Sequence, residues 1–293
     1  MATELPLLRR LSAFTDDPRG GNPAGVWIGR EMPDPARMQE VAAEVGYSET
    51  AFLVARPDGE YRIRYFSPEA EVPFCGHATI AAGVLLGMRE GAGTYSLDTA
   101  VGPVAVEVSH RSSRLYATLT SVLPKQEAVP PDLLRQVLEV LGWRPEELDP
   151  GIPPRLAWAG AWHLVLAAAS SATLDRLAYD FPVLKALMLD ADLTTLQLVW
   201  RQDEGTFHAR NPFPVGGVVE DPATGAAAAA LGGYLRDAGL LSAPADFVIH
   251  QGVAMGRPSR IEVSVPVAGG IRVTGTAAPI DDAAEISYDT LRR

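Results

Sequence analysis

The 293-residue chain carries 25 Lys and Arg against 36 Asp and Glu, a formal charge of -11; phosphate binding needs clustered cations, so nucleic acid is not an expected partner. A single cysteine excludes an intrachain disulfide and any multi-cysteine zinc cluster, in keeping with a reducing compartment. Met1–Pro6 lacks the basic-then-apolar pattern of a signal peptide, and the longest apolar run, Leu156 to Ala169, is broken by His163 and falls short of the roughly 20 residues that a membrane helix needs. The expectation is a soluble cytoplasmic protein with no membrane partner.

Short β-rich runs open the chain at Leu7 to Phe14, Ala24 to Ile28, Thr50 to Val54 and Tyr61 to Phe66. In the last, Tyr61, Ile63 and Tyr65 alternate with Arg62 and Arg64, the period of a half-buried strand. Between them Asp34-Pro35 supplies an N-cap and an N1 proline, Met38, Val41, Ala42 and Val45 repeat at helical spacing, and Gly46 stops the helix. Strands follow at Val104 to Val108 and Leu115 to Leu119. A second amphipathic helix then starts at Pro130-Pro131-Asp132 and ends at Gly142. Strand-like runs resume at Ala161 to Ala167, Thr195 to Val199, Thr206 to Arg210, Phe247 to His250, Ile261 to Val265 and Ile271 to Thr274. The boundary falls between Ser121 and Pro131, which predicts lobes of 1–122 and 123–293, the last strand being free to return to the first lobe.

Two segments share one grammar of strand, turn, polar cluster and small-residue helix. The first runs from Phe66 through Cys75-Gly76-His77-Ala78-Thr79 to Gly83, and the second from Ala209 through Glu220-Asp221-Pro222-Ala223-Thr224-Gly225 into five alanines ending at Ala230. A helix of Ala, Gly and Thr admits strands at close range, and its first-turn N–H groups are free to meet an anion. Two such ends point to one shared site. The chain has no G-x-G-x-x-G after a strand, no P-loop, no H-E-x-x-H, no C-x-x-C and no G-x-S-x-G, so nucleotide and metal chemistry lose support. What remains is acid/base material: Glu49 in Gly46-Tyr47-Ser48-Glu49-Thr50-Ala51-Phe52, His77 at one helix start and Asp221 at the other.

Gly21-Asn22-Pro23-Ala24-Gly25-Val26, Ser48-Glu49-Thr50-Ala51-Phe52, Glu71-Val72-Pro73-Phe74-Cys75-Gly76-His77-Ala78-Thr79, Glu220-Asp221-Pro222-Ala223-Thr224-Gly225 and Gln251 through Ser259 together resemble the phenazine-biosynthesis PhzF-like isomerase family, in the family's order and over nearly the whole chain. The resemblance implies a diaminopimelate-epimerase-like α+β fold: two pseudosymmetric lobes, each a rolled, mostly antiparallel sheet around a central helix. It also implies an active site in the cleft between the lobes, a homodimer, and a proton shift that needs neither metal nor organic cofactor. The substrate it implies is a small carboxylate-bearing molecule of the dihydro-3-hydroxyanthranilate type or a related compound.

Carried over residue by residue, Glu49 matches the catalytic carboxylate, and Tyr47 and Phe52 beside it would partly desolvate the group, as suits one that takes and returns a proton. His77 and Asp221 match the residues that hold the substrate's polar groups and assist the proton. Asn22, Gly76, Gly225 and Ala226 fall at substrate-binding places. Each has a plainer reading: Glu49 as a strand-end carboxylate, His77 as a loop partner, Asp221-Pro222 as N-cap and N1 proline. Ala226 departs from the family, which often has a serine there, and leaves the substrate open; Arg257 is one possible replacement donor. Cys75 stands where related racemases keep the first of two thiols, but no second thiol exists, so a buried, unreactive Cys75 is expected. Two other readings stand beside the isomerase: an amino-acid epimerase or racemase with an unlike acid/base pair, and a catalytically silent small-molecule-binding or interaction protein of the same fold.

Overall fold

A computed structural model describes residues 7–280; Met1–Pro6 and the predicted lobe ends at 1 and 293 lie outside them. The chain forms two units, one of the described residues up to Leu119 together with those from Gly275 onward, the other Thr120–Thr274.

In the first unit, β1 (Leu7–Ala13), β2 (Asn22–Gly29), β3 (Glu49–Ala55), β4 (Tyr61–Phe66), the short β5 (Glu71–Val72), β6 (Gly93–Thr99), β7 (Gly102–Arg111) and β8 (Arg114–Thr120) are joined by α1 (Pro35–Val45) and α2 (Gly76–Glu90). In the second lie β9 (Lys125–Ala128), α3 (Pro131–Leu141), β10 (Arg155–Trp158), β11 (Trp162–Ala168), α4 (Ser171–Asp175), α5 (Phe181–Asp190), β12 (Thr195–Asp203), β13 (Thr206–Phe213), β14 (Val218–Asp221), α6 (Gly225–Asp237), β15 (Ala245–Gln251), β16 (Ser259–Val265) and β17 (Arg272–Gly275). The chain then returns to the first unit, where β18 (Ala277–Pro279) pairs antiparallel with β1.

The pairing pattern of one unit repeats in the other. β18, β1, β2, β3, β4, β6, β7 and β8 lie side by side with antiparallel, antiparallel, parallel, antiparallel, parallel, antiparallel and antiparallel neighbours. β9, β10, β11, β12, β13, β15, β16 and β17 follow the same series. The fold is α+β, with a mostly antiparallel sheet rolled around one central helix in each unit.

Those central helices are α2 and α6. The helix α2 packs against β1, β2, β3, β7 and β18, and α6 against β9, β10, β11, β12 and β16. Encirclement requires small side chains at the points of approach. An added Cβ at Gly83 would stand 2.6 Å from Val106 Cγ1 and 3.1 Å from Ala117 Cβ, and one at Gly233 would stand 2.3 Å from Pro124 Cβ. Amphipathic helices cover the outer face of each sheet. On α1, Met38, Val41, Ala42 and Val45 pack with Trp27, Phe52 and Phe66, and Asp34 caps the helix through Arg37 N–H while Gly46 ends it at φ 70°. On α3 and α5, Val137, Leu138, Leu141, Leu184 and Met188 meet Leu164, Leu166, Leu196 and Leu198. Each large aliphatic buried in this way contributes about 1.5–3 kcal/mol relative to exposure.

The second sheet also holds a buried polar group. His163, Thr195, Gln197 and Asn211 are all 0–1% exposed; His163 Nδ1 lies 2.8 Å from Thr195 Oγ1, and Asn211 donates to Gln197 Oε1 at 2.6 Å. Burial pushes the His163 imidazole down to about 3, because charging it inside the sheet forfeits hydration.

Two outcomes follow. Gly83→Val should cost about 1–3 kcal/mol by overpacking, read as a lower urea midpoint at unchanged slope. The native state excludes the His163 proton that the unfolded chain binds below its ordinary value near 6.5, so stability is full above that pH and falls as pH drops towards about 3. Between pH 6 and 5, urea titrations should show wild type losing about 1.4 kcal/mol per pH unit more than His163→Gln.

Candidate active site

The first unit brings Glu49, Cys75, Gly76 and His77 together at one end of α2, with Asn22 at the same end of the sheet. The strand β3 begins at Glu49, level with Ala24 on its parallel neighbour β2, and Asn22 starts β2 two residues earlier, 1% exposed at the same end of the sheet. Cys75 is the N-cap of α2 but makes no side-chain capping bond, Gly76 is the first helical residue and His77 the second. Glu49 Oε2 lies 3.5 Å from His77 Nε2, their side chains 17% and 7% exposed. Ser48 Oγ is 3.4 Å from the same nitrogen, and Cys75 Sγ is 3.3 Å from His77 Nδ1. An imidazole therefore stands between a carboxylate and a thiol, at a helix end whose N–H dipoles favour negative charge. A Cβ built on Gly76 would meet no atom within 4 Å, so packing does not demand glycine there.

Cys75 is 8% exposed, buried as expected, yet it is not isolated among apolar side chains: it touches His77. Ser48 is a further member of the cluster; its place directly before Glu49 is the signal that locates it in the sequence.

The second unit builds its counterpart differently. The expected capping by Asp221-Pro222 is not what forms. Asp221 is the last residue of β14, paired with Asn211 on β13, and the helix starts only at Gly225 with Thr224 as N-cap. Strand pairing holds the backbone extended up to Asp221, and the helix starts downstream of the Asp-Pro step. Thr224 Oγ1 donates to Asp221 Oδ2 at 2.6 Å, so neither side chain caps α6 in the ordinary way. Gln251 ties the turn together: its Nε2 donates to the Asp221 carbonyl at 2.7 Å and to Thr224 Oγ1 at 3.0 Å, while its Oε1 accepts from Thr224 N–H at 3.3 Å. Gly252 follows at φ 74°, where a Cβ would stand 2.3 Å from the Arg257 carbonyl oxygen and 2.8 Å from that of Pro222; no other residue fits. Gly225 and Ala226 are the first two residues of α6, so Ala226 occupies in α6 the place His77 occupies in α2.

Matching positions by pairing register, the place of Glu49 at the head of β3 belongs in the second unit to Thr195, at the head of β12 and level with His163 on β11. The place of Cys75 belongs to Thr224. The carboxylate and the imidazole are thus on one unit alone, and the carboxylate Asp221 on the other stands three residues before its helix cap.

Sheets rolled around a central helix, twice over, with acid/base groups at the helix ends, define the diaminopimelate-epimerase-like class. A profile described as phenazine biosynthesis-like protein matches residues 11–283. An uncharacterized isomerase of Bacillus subtilis is 30% identical over 278 residues, covering 92% of this chain and 94% of its own. The trans-2,3-dihydro-3-hydroxyanthranilate isomerase of Pseudomonas chlororaphis is 30% identical over 251 residues, 85% of this chain and 86% of its own. Among solved structures, a predicted epimerase from Pseudomonas aeruginosa superposes with a TM-score of 0.83 at 28% identity, covering 97% of this chain and all of that one. The chain belongs to the phenazine biosynthesis-like family and is an isomerase of that family. No helix among the described residues is long and apolar enough to cross a membrane.

Gln251→Leu removes three hydrogen bonds and leaves Thr224 N–H and the Asp221 carbonyl to find other partners. It should cost on the order of 1–3 kcal/mol, measured by chemical denaturation against wild type.

Proposed function

We propose that the protein catalyses a proton shift within a small carboxylate-bearing substrate of the dihydro-3-hydroxyanthranilate type or a related compound, with Glu49 as the base that takes and returns the proton. The observation that carries this reading is the Glu49–His77 pair: a mostly buried carboxylate 3.5 Å from an imidazole at an uncapped helix N-terminus. Glu49 removes a proton from a carbon next to a conjugated acid or enol, the electron pair passes into the conjugated system, and the same carboxylate returns the proton further along on the same face. His77, held by Ser48 on one side and Cys75 on the other, donates to or accepts from the polar group where charge gathers. The first-turn N–H groups of α2 offer that charge a fixed partial positive end.

A single carboxylate base suits a shift better than an inversion. Inversion of a stereocentre needs a base on one face and an acid on the other, and the register counterpart of Glu49 is Thr195, a poor proton carrier. Asp221 has its own fixed geometry, and we propose that it binds and orients polar groups of the substrate, with Asn22, Gly76, Gly225 and Ala226 contributing to binding. The lack of a hydroxyl at Ala226 supports a substrate related to, rather than the same as, that of the Pseudomonas isomerase. The family resemblance supports a homodimer working in the cytoplasm. One observation favours a second reading: Cys75 Sγ at 3.3 Å from His77 Nδ1 gives an unlike acid/base pair for an epimerase.

The test is proton NMR in deuterated buffer on trans-2,3-dihydro-3-hydroxyanthranilate and a panel of small unsaturated acids and amino acids. Deuterium should enter a carbon position with wild type and slow by about 10²–10⁴-fold in Glu49→Gln, with Asp221→Asn losing activity as well. Exchange that survives Glu49→Gln would remove Glu49 from its role, and deuterium in a product of inverted configuration would favour the epimerase.

A further inference from the structure

We infer that Glu49, Cys75 and His77 form a three-donor site for a borderline-soft divalent cation of the zinc type, whose binding silences the proton shift. The inhibitory half of this rests on the function proposed above; the binding half does not.

One carboxylate oxygen, the thiol sulfur and a ring nitrogen all lie within 4.8 Å of one another. Zinc bonds of roughly 2.0–2.3 Å at tetrahedral angles place such donors roughly 3.3–3.6 Å apart. His77 Nε2 is 3.5 Å from Glu49 Oε2 and 3.9 Å from Cys75 Sγ, so the nitrogen–oxygen edge is in place and the sulfur is the donor that must move. It is nearer Nδ1, at 3.3 Å, and reaches the Nε2 side by rotation about the one torsion that a cysteine side chain has. All three donors are already gathered and partly dehydrated, His77 and Cys75 at 7% and 8% exposure, so ligation orders little that the fold has not ordered already.

The donor set selects the ion. Thiolate with imidazole and carboxylate suits zinc or cobalt and disfavours magnesium and calcium, which take oxygen. Three protein donors leave a fourth position for water or for a substrate oxygen. Charge fits the helix end as well: a dication with one thiolate and one carboxylate is neutral, where a net positive site would oppose the α2 N-terminus. On binding, the Cys75 S–H bond breaks, sulfur bonds the metal and one proton leaves to buffer. Glu49 then has a lone pair tied to the ion and His77 has lost the nitrogen facing Glu49, so neither serves the substrate.

Cobalt(II) reads the site without any substrate. The purified full chain should take up one equivalent with a thiolate-to-cobalt charge-transfer band in the near ultraviolet, displaced by zinc. Because the chain has one cysteine, the band reports Cys75 alone. His77→Gln and Glu49→Gln should each weaken binding more than tenfold, with His208→Gln, far along the sequence on β13, as an unaffected control. Absence of the band in wild type, or affinity unchanged in both His77→Gln and Glu49→Gln, overturns the site. In the deuterium assay, one equivalent of zinc should stop exchange and a chelator restore it; exchange undiminished by bound zinc overturns the inhibitory half. Cobalt binding in a chain that turns over none of the panel would count against the proposed reaction and leave the metal site standing.

Discussion

The constraint on which each unit depends is the close approach of strands to a central helix. A helix ringed by strands needs small side chains where the strands come closest, so α2 opens as Gly76-His77-Ala78-Thr79-Ile80-Ala81-Ala82-Gly83 and α6 as Gly225 followed by five alanines, with Leu86 and Tyr234 filling the wider spaces further along. Close packing makes the cost of one added carbon atom high, since interiors are filled nearly to crystal density. The same encirclement fixes the chemistry. A helix walled in along its length presents only its ends, and the N-terminal end carries N–H groups that neither Cys75 nor Thr224 caps with its side chain. Packing thus leaves the helix end open, and the head of β3 places Glu49 3.5 Å from His77 there.

From that shared plan the two units diverge by a few side chains. The first places a carboxylate at the head of β3, an imidazole at the second position of α2 and a thiol at the cap. The second places Thr195, Ala226 and Thr224 at the same stations, and puts a carboxylate, Asp221, on the strand before the helix, held through Thr224 and Gln251. The small-residue requirement is kept in both units, while the side chains at the helix ends differ. Gly76, whose missing Cβ would touch nothing, is a helix-end residue that the surrounding packing does not dictate.

Much of the fold was legible because its signals are local. Asp34-Pro35 and Gly46 bracket α1 as the sequence pattern requires, and the alternation of Tyr61, Ile63 and Tyr65 marks β4. The helix α5 is less visible: Phe181-Pro182-Val183-Leu184-Lys185-Ala186-Leu187-Met188-Leu189 is apolar nearly all round, so no stripe stands out against a buried strand. Asp221-Pro222 satisfies the local rule for a helix start and is overruled by hairpin pairing with Asn211 on β13, a pairing that the Asp-Pro step itself does not signal. Family motifs made the candidate residues nameable, but not their arrangement. That Cys75 touches His77, and that His77 faces Glu49 from a helix 27 residues downstream, depends on how α2 threads the sheet.

The polar lining of the second sheet shows why the asymmetry is stable. Where the first sheet has Ala24 beside Glu49, the second has His163 beside Thr195, and the imidazole is held neutral by complete burial. A carboxylate at Thr195 would sit next to that ring and close to Asn211, whose amide lies 3.4 Å from Thr195 Oγ1, in a fully buried cluster with no water to solvate its charge. Conversely, Glu49 has only the methyl of Ala24 across the ladder, which leaves its carboxylate free to turn towards His77. In the same register position, the small residue on β2 thus leaves room for a carboxylate facing an imidazole, and the large one on β11 joins a closed polar core.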